Sequence, residues 1–234
     1  MALLLSLESS ARYCSVALHR EGVCLAEWRS TSVRSAASEL APAIRRIGEQ
    51  AGIRFTDLDA VAVAGGPGSY TGLRISTSLA KGLVAALSIP MISIGSLDAV
   101  VQAFRRKPEA APAQAYGAVL DARRMEVYVR WFNGAGVPLT EVSAHVLTTE
   151  SFSTHLTEGI CWLVGDAAEK CRSVISHPNA RFLEVEPDAP SVGDLAWQAF
   201  LEKRFVDVHA FEPAYLKEFM PGRKPDLTGA GQVQ

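Results

Sequence analysis

Residues 58–74 read LDAVAVAGGPGSYTGLR, and this stretch joins an apolar run to a helical pattern through a turn rich in glycine. Residues 58–64 predict a buried strand, because they are apolar apart from Asp59 and have the length of a strand. The glycines allow positive φ angles and the close approach of another backbone segment. A helix is predicted next, over residues 71–87. A buried strand that turns tightly into a helix is typical of an α/β protein.

The hydrophobic pattern on either side of this unit predicts the rest of one half of the protein. Further strands are predicted at residues 2–8, 13–19, 23–29 and 90–94, and a further helix at 96–106. Another helix lies between the third strand and the glycine-rich unit, with apolar residues at offsets of three and four as far as Ala51. Because Pro42 lies in this pattern, the helix either begins near Ser38, with Pro42 in or near its first turn, or kinks at Pro42.

The order of elements repeats in the second half of the chain. Strands are predicted at 116–120, 125–132, 137–147, 161–164 and 181–185, and helices at 150–156, 167–176 and 192–205. Each half has the order βββαβαβα, which indicates a duplicated ribonuclease H-like fold, as in actin, Hsp70 and sugar kinases, with two lobes of mixed sheets covered by helices. We expect one lobe at 1–108, a second at 109–220 and a mobile tail at 221–234.

The glycine-rich turn differs from three known site motifs. No lysine follows it as in a P-loop, Thr71 replaces the third glycine of a dinucleotide-binding motif, and Pro67 replaces the first glycine of G-x-S-x-G. Two interpretations therefore stay open. The turn is required for packing, or it holds an anion on the N–H groups at the start of the helix. Ser69 or Thr71 is the expected cap of that helix.

The sequence predicts neither a metal site nor a bound cofactor. No two of the five histidines have H-x-x-x-H or H-x-x-H spacing, so no helix presents a ready pair of metal ligands. Two acids, Glu8 and Asp121, end the first strand of each half. They are either remnants that cap strand ends, which we favour, or acids that face each other across a cleft as in nucleotide-using members of this fold.

Composition narrows the class of protein. The chain of 234 residues is 48% hydrophobic, with 23 basic and 25 acidic residues, which is typical of a globular protein and not of a general polyanion binder. No apolar run is long enough to span a membrane, so we expect a cytoplasmic protein. The cysteines contain no C-x-x-C pair and are expected as reduced thiols: Cys14, Cys24, Cys161 and Cys171.

Several short motifs together resemble those of the bacterial TsaB family, also called YeaZ. The most specific is GPGSYTGLRI at residues 66–75, followed by AKGL at 80–83, DAR at 121–123 and EVY at 126–128. GD at 165–166, Pro213 and the pair Tyr215 and Leu216 extend the resemblance over nearly the whole chain. The chain departs from the family at Glu8, where many relatives have Asp, which puts in doubt a nucleotide or metal role at that position.

The resemblance implies an accessory subunit without catalytic activity of its own. Such a subunit binds and activates a TsaD-like enzyme, which with a TsaE-like ATPase transfers a threonylcarbamoyl group to the adenosine beside the anticodon of tRNAs. The chain would meet tRNA indirectly, through the complex, and would also form homodimers through the surface that meets the enzyme. The alternative is a stand-alone ATPase or phosphotransferase of the actin-like class, which would turn over ATP alone.

The resemblance and the helical pattern together give the candidate site residues. The signature turn comprises Gly66, Pro67, Gly68, Ser69, Thr71 and Gly72. We predict that the helix after the turn contacts the partner through Leu73, Arg74, Thr77, Ala80 and Val84, four of which share one helix face at offsets 0, 4, 7 and 11. Glu8 and Asp121 are the predicted vestigial acids of a nucleotide cleft.

Overall fold

The computed structural model describes residues 1–216, and the first half of the chain forms a five-stranded mixed sheet. Its strands are β1 Leu3–Glu8, β2 Ser15–Arg20, β3 Val23–Arg29, β4 Ala60–Ala64 and β5 Met91–Ile94, and its helices are α1 Ala36–Ala51, α2 Tyr70–Leu87 and α3 Ser96–Arg105. The strands lie in the order β3-β2-β1-β4-β5. The pairs β1–β2 and β2–β3 are antiparallel, whereas β4 is parallel to β1 and β5 is parallel to β4.

The second half repeats this sheet. Its strands are β6 Ala115–Asp121, β7 Glu126–Asn133, β8 Ser143–Val146, β9 Cys161–Val164 and β10 Ala180–Leu183, and its helices are α4 Ser153–Glu158, α5 Ala168–Arg172 and α6 Ala189–Leu201. The strand order β8-β7-β6-β9-β10 is that of the first sheet. The predicted duplicated ribonuclease H-like fold is therefore confirmed. The predicted tail at 221–234 lies outside the described residues, and the lobe boundaries remain a prediction.

The last helix of each half packs against the sheet of the other half. One face of the first sheet is covered by α1 and α2 and the other by α6, where Val192 and Ala196 pack against Leu4 and Ile92. Helix α3 in turn packs against the second sheet, through Phe104 and its neighbours. The two halves therefore bury apolar surface against each other, and burial of this kind is the main stabilising contribution to a fold.

Helix α1 begins earlier than either alternative from the sequence had placed it. It starts at Ala36, so Pro42 lies in its interior. Proline has no N–H to donate to the carbonyl of Ser38, four residues earlier. Pro42 is exposed, so that carbonyl lies toward water, and the buried face of Leu40, Ile44 and Ile47 keeps the helix on the sheet.

The third strand of the second half is much shorter than the predicted span of 137–147. Pro138 forms only an isolated bridge to Phe132, since it has no N–H for a ladder. The Thr140 hydroxyl, rather than a backbone carbonyl, accepts the N–H of Trp131 at 3.0 Å. Regular pairing therefore starts only at Ser143. The following helix also starts late, at Ser153, because Phe152 has a left-handed φ of 64°.

Two expectations about chemical class can be compared with the structure. Within residues 1–216 no helix is long and apolar enough to cross a membrane. The four cysteines are free thiols, as predicted, and three of them are buried. Burial raises the pKa of Cys171 to about 12, so this thiol stays protonated and unreactive at neutral pH.

Candidate functional site

The glycine-rich turn is a packing element, and other segments of the chain fill the space around it. A Cβ atom on Gly72 would lie 1.9 Å from the carbonyl oxygen of Ser9, and one on Gly66 would lie 2.9 Å from that of Ala214. Side chains are therefore excluded at both positions by backbone, which cannot move away easily. The turn receives the β1–β2 connection on one side and the C-terminal segment on the other.

Hydrogen bonds join the same three segments. The Ser69 N–H donates to the Ser10 carbonyl at 2.7 Å, and the Ser9 hydroxyl donates to the Gly72 carbonyl at 2.8 Å. The Ala214 N–H donates to the Gly65 carbonyl at 2.8 Å. Ser69 also caps α2, because its hydroxyl accepts the Gly72 N–H at 3.3 Å. These contacts favour the packing interpretation of the turn over the anion site.

The predicted partner patch on α2 needs a correction. Leu73, Thr77, Ala80 and Val84 do share one face, but that face points inward, and none of the four is more than 5% exposed. Ala80 and Val84 belong to the apolar core between α1, α2 and the first sheet. Side chains buried within the chain cannot form a surface for a partner. Only the fifth predicted residue, Arg74, is exposed.

The accessible side of α2 carries mostly small residues, and of these positions the sequence analysis predicted only Arg74 as a partner contact. We call this side the α2 stripe: Thr71, Arg74, Ser78, Gly82 and Ala85, all exposed. A Cβ atom on Gly82 would meet nothing within 4 Å. This glycine therefore has no packing role inside the chain, although a glycine within a helix costs about 1 kcal/mol relative to alanine. The sequence did contain a signal for this side of the helix, because the residues of the α2 stripe recur at spacings of three and four.

Arg74 lies at the start of the α2 stripe, against two tyrosines. Its guanidinium carbon is 4.2 Å from the ring centroid of Tyr70, and its Nε donates to the Tyr215 hydroxyl at 3.4 Å. The two rings are themselves 4.9 Å apart. Cation–π contacts of this kind fix the side chain and leave its polar edge toward solvent. Tyr215 thus connects the C-terminal segment to the stripe.

Glu8 is buried where the first strand ends at the boundary of the two halves. Its carboxylate accepts hydrogen bonds from the Ser10 hydroxyl, at 2.6 Å, and from the Ser10 N–H. Burial raises the pKa of Glu8 to about 7, even though these hydrogen bonds lower it, and the charges of Asp188 and Glu186 raise it further. Glu8 is therefore partly protonated at neutral pH.

Asp121, the second predicted acid, is used differently. It is exposed, forms an ion pair with Lys170, and accepts the Arg123 N–H at 2.9 Å. Neither its contacts nor those of Glu8 join the two predicted acids. Asp166 accepts the Asp121 N–H at 2.8 Å, and burial raises the pKa of Asp166 to about 6.

Ion pairs within the chain connect the two halves beside Glu8. Arg12, from the β1–β2 connection, pairs with Glu184 and with Glu186, the latter at 3.1 Å. Arg29 pairs with Glu186 at 2.6 Å. The charged side chains at this boundary therefore form ion pairs between the two halves. Among residues 1–216, no group of three or more acidic, histidine or cysteine side chains is arranged to hold a metal ion.

Comparison with known proteins agrees with the fold and the motifs. Residues 30–145 match the TsaD family model, described as tRNA N6-adenosine threonylcarbamoyltransferase. The tRNA threonylcarbamoyladenosine biosynthesis protein TsaB of Escherichia coli K12 is 28% identical, over 94% of this chain and 97% of its own length. TsaB of Haemophilus influenzae is 29% identical, over 94% of this chain and 98% of its own length.

A solved structure extends the agreement to three dimensions. YeaZ from Pseudomonas aeruginosa superposes with a TM-score of 0.78 at 29% identity, covering 92% of this chain and all of that one. The similarity thus spans both sheets, whereas the TsaD model matches about half of the chain. Full-length matches in sequence and in structure, together with the motifs in the glycine-rich turn and at residues 121–128, support the assignment of this chain to the TsaB/YeaZ family.

Proposed function

We propose that this chain acts in tRNA threonylcarbamoyladenosine biosynthesis as a non-catalytic subunit that binds and activates a TsaD-like enzyme. The names of its full-length relatives support the pathway. The partial match to the TsaD model supports common descent of this chain and that enzyme. A pair of related subunits has related helix faces available for association.

The observation that carries the proposal is Gly82. An exposed helix position with open space around it accepts any side chain except that of proline, and most residues form helices better than glycine. A glycine in the α2 stripe is explained if another helix approaches the backbone of α2 closely there. Ser78 and Ala85, one turn away on either side, keep the approach open.

The buried and paired acids support an accessory rather than a catalytic role. Glu8 lies against Ser10 and is closed off from solvent, and Asp121 is paired with Lys170. An actin-like phosphotransferase needs accessible acids to position a metal–nucleotide complex. We further propose that the α2 stripe serves self-association when no TsaD-like partner is present, and that a TsaE-like ATPase joins the complex of both subunits.

The test combines complex formation with activity. Size-exclusion chromatography of the chain with the TsaD-like protein of the same organism should give a stable heterodimer, and threonylcarbamoyl transfer to tRNA should be lost when the chain is omitted. Ser78→Arg, on the α2 stripe, should abolish both. The matched control is Gln198→Arg, at an exposed position of α6 on the opposite face of the sheet, and it should behave as wild type.

Two results would contradict the proposal. One is an unchanged rate of transfer without the chain. The other is the absence of a complex together with ATP turnover by the chain alone, which would favour the stand-alone ATPase or phosphotransferase.

A further inference from the structure

The β6–β7 hairpin ends in two consecutive arginines with unusual backbone conformations. Arg123 has a φ of 66° and Arg124 a φ of 51°, and both are exposed. Residues other than glycine, asparagine and aspartate rarely adopt this left-handed region. The β2–β3 turn of the first half also has two consecutive left-handed residues, and the second of them is a glycine, Gly22. The second hairpin therefore keeps side chains at a place where glycine is the simpler solution.

The turn is held in this conformation by its own contacts. The Asp121 carboxylate accepts the Arg123 N–H at 2.9 Å, and the Ala122 N–H donates to the Glu126 carbonyl at 3.2 Å. Asp121 is itself paired with Lys170. The Asp121 carboxylate thus already has a cationic partner and forms no ion pair with either arginine.

The two guanidinium groups form no ion pair, hydrogen bond or ring contact with any part of the chain that the structure describes. The first half provides a contrast. Arg12 follows β1 as the two arginines follow β6, and it pairs with Glu184 and Glu186 of the other half. The arginine after the first strand stabilises the molecule, whereas those after the equivalent strand extend into solvent.

We propose that Arg123 and Arg124 bind the phosphate backbone of RNA. Residues with a strained backbone conformation often cluster at functional sites, and the side chains of these two arginines make no contact within the described chain that would explain the strain. Two adjacent guanidinium groups fit phosphate oxygens well, because each presents a planar set of donors. The choice of RNA over an acidic protein surface rests on the proposed function, in which tRNA is the polyanion that the complex must hold. The tip would add direct contact to a subunit expected to meet tRNA only indirectly.

The experiment uses a variant that improves the turn while it removes the charges. Arg123→Asn/Arg124→Gly introduces the two residues that accept left-handed conformations best, so its thermal midpoint should rise relative to wild type. The control Lys107→Gln/Lys203→Gly also removes two exposed positive charges, one of them at a left-handed position with a φ of 53°. Binding of fluorescein-labelled tRNA is followed by anisotropy from 50 to 200 mM salt, for the chain alone and with the TsaD-like protein.

The hairpin variant should bind tRNA more weakly, and the slope of log K against log salt should become shallower by about 2, or about 1 for each lost phosphate contact. The control should retain the wild-type slope, because the two charges that it removes lie outside the proposed RNA contact. Equal affinity of wild type and hairpin variant, or no tRNA binding by wild type in either form, would overturn the proposal.

Complex formation on size exclusion separates this proposal from the previous one. A hairpin variant that forms the heterodimer but keeps full tRNA affinity refutes only the RNA contact. Loss of the heterodimer by the hairpin variant, with the control intact, would instead identify the tip as a contact with an acidic protein surface and would also refute the RNA contact.

Discussion

Replacing Gly82 by alanine should stabilise the isolated chain and weaken its complex. The position is exposed in the interior of α2, and a Cβ atom there meets no neighbour. Alanine loses less backbone entropy than glycine on folding, so the free energy of unfolding should rise by about 0.5–1 kcal/mol. For a chain of this size the thermal midpoint should increase by roughly 1–4 °C.

The same methyl group should oppose the partner helix. If the backbones of two helices approach at Gly82, an added methyl causes overpacking that costs about 1–3 kcal/mol. The dissociation constant of the complex with the TsaD-like protein should then increase by roughly 5- to 150-fold. Isothermal titration calorimetry measures this change, and thermal unfolding of the separate chain measures the gain in stability.

The opposite signs make the test selective. Gln198→Ala, at an exposed position of α6, is the control, and it should leave the affinity unchanged. A Gly82→Ala chain that is more stable and still binds with wild-type affinity would refute the argument that α2 makes a close helix contact. A chain that is less stable would refute the conclusion that Gly82 has no packing role.

Three further substitutions test the interior of the molecule. Leu73→Ala should lower the free energy of unfolding by about 2–5 kcal/mol in urea titrations, because the side chain is fully buried; an unchanged stability with weakened partner binding would restore Leu73 to the interface. Gly72→Ala should prevent folding or destabilise by on the order of 3 kcal/mol, since its Cβ would lie 1.9 Å from the Ser9 carbonyl, and a normal thermal midpoint would show that the turn can relax. The pKa of Glu8 is raised from 4.5 to about 7, so this group binds more protons in the folded state than in the unfolded state between these values. The contribution of Glu8 to the free energy of unfolding should therefore fall as pH rises through that window, by up to about 3 kcal/mol. Glu8→Gln should reduce this loss between pH 5 and pH 8 in urea midpoints, whereas an unchanged pH profile would mean that Glu8 is not the titrating group.

The order of the elements was predictable from the sequence because each element has its own hydrophobic period. The run at 58–64 and the alternation before it belong to strands, and the offsets of three and four in α1 belong to a helix. Boundaries were less predictable, since they depend on single backbone conformations. The left-handed φ of Phe152 delays α4, and the missing N–H of Pro138 shortens β8.

The direction of the α2 faces could not be read from the sequence. The helix has leucines on one side, at Leu79, Leu83 and Leu87, and smaller residues on another. Residues of both kinds pack against the core: the leucines are half-buried, and Ala80 and Val84 are buried. Apolar content therefore does not distinguish the inner from the outer face. Which face of α2 is exposed depends on how the helix packs against α1 and the first sheet. In the structure this packing covers Ala80 and Val84 and leaves Ser78 and Gly82 exposed to solvent.

The environment of Glu8 was also outside the reach of the sequence. Its raised pKa depends on burial at the boundary of the two halves and on Asp188 and Glu186, which lie 180 and 178 residues away along the chain. Long-range contacts of this kind follow from the exchange of α3 and α6 between the halves, and no local pattern encodes them. The same exchange explains why Asp121, at the equivalent strand end, has a different environment.

The glycines of the turn and the glycine at position 82 are therefore present for different physical reasons. In the turn, Gly66 and Gly72 are required by the chain itself, because Ala214 and Ser9 occupy the space that a side chain would need. At Gly82 the chain imposes no such requirement, and the helix would be more stable without it. A glycine with internal neighbours is explained by folding, whereas the proposed approach of a partner helix would explain a helical glycine that faces open space. The turn thus fixes where α2 begins, and α2 leaves Gly82 exposed with open space around it.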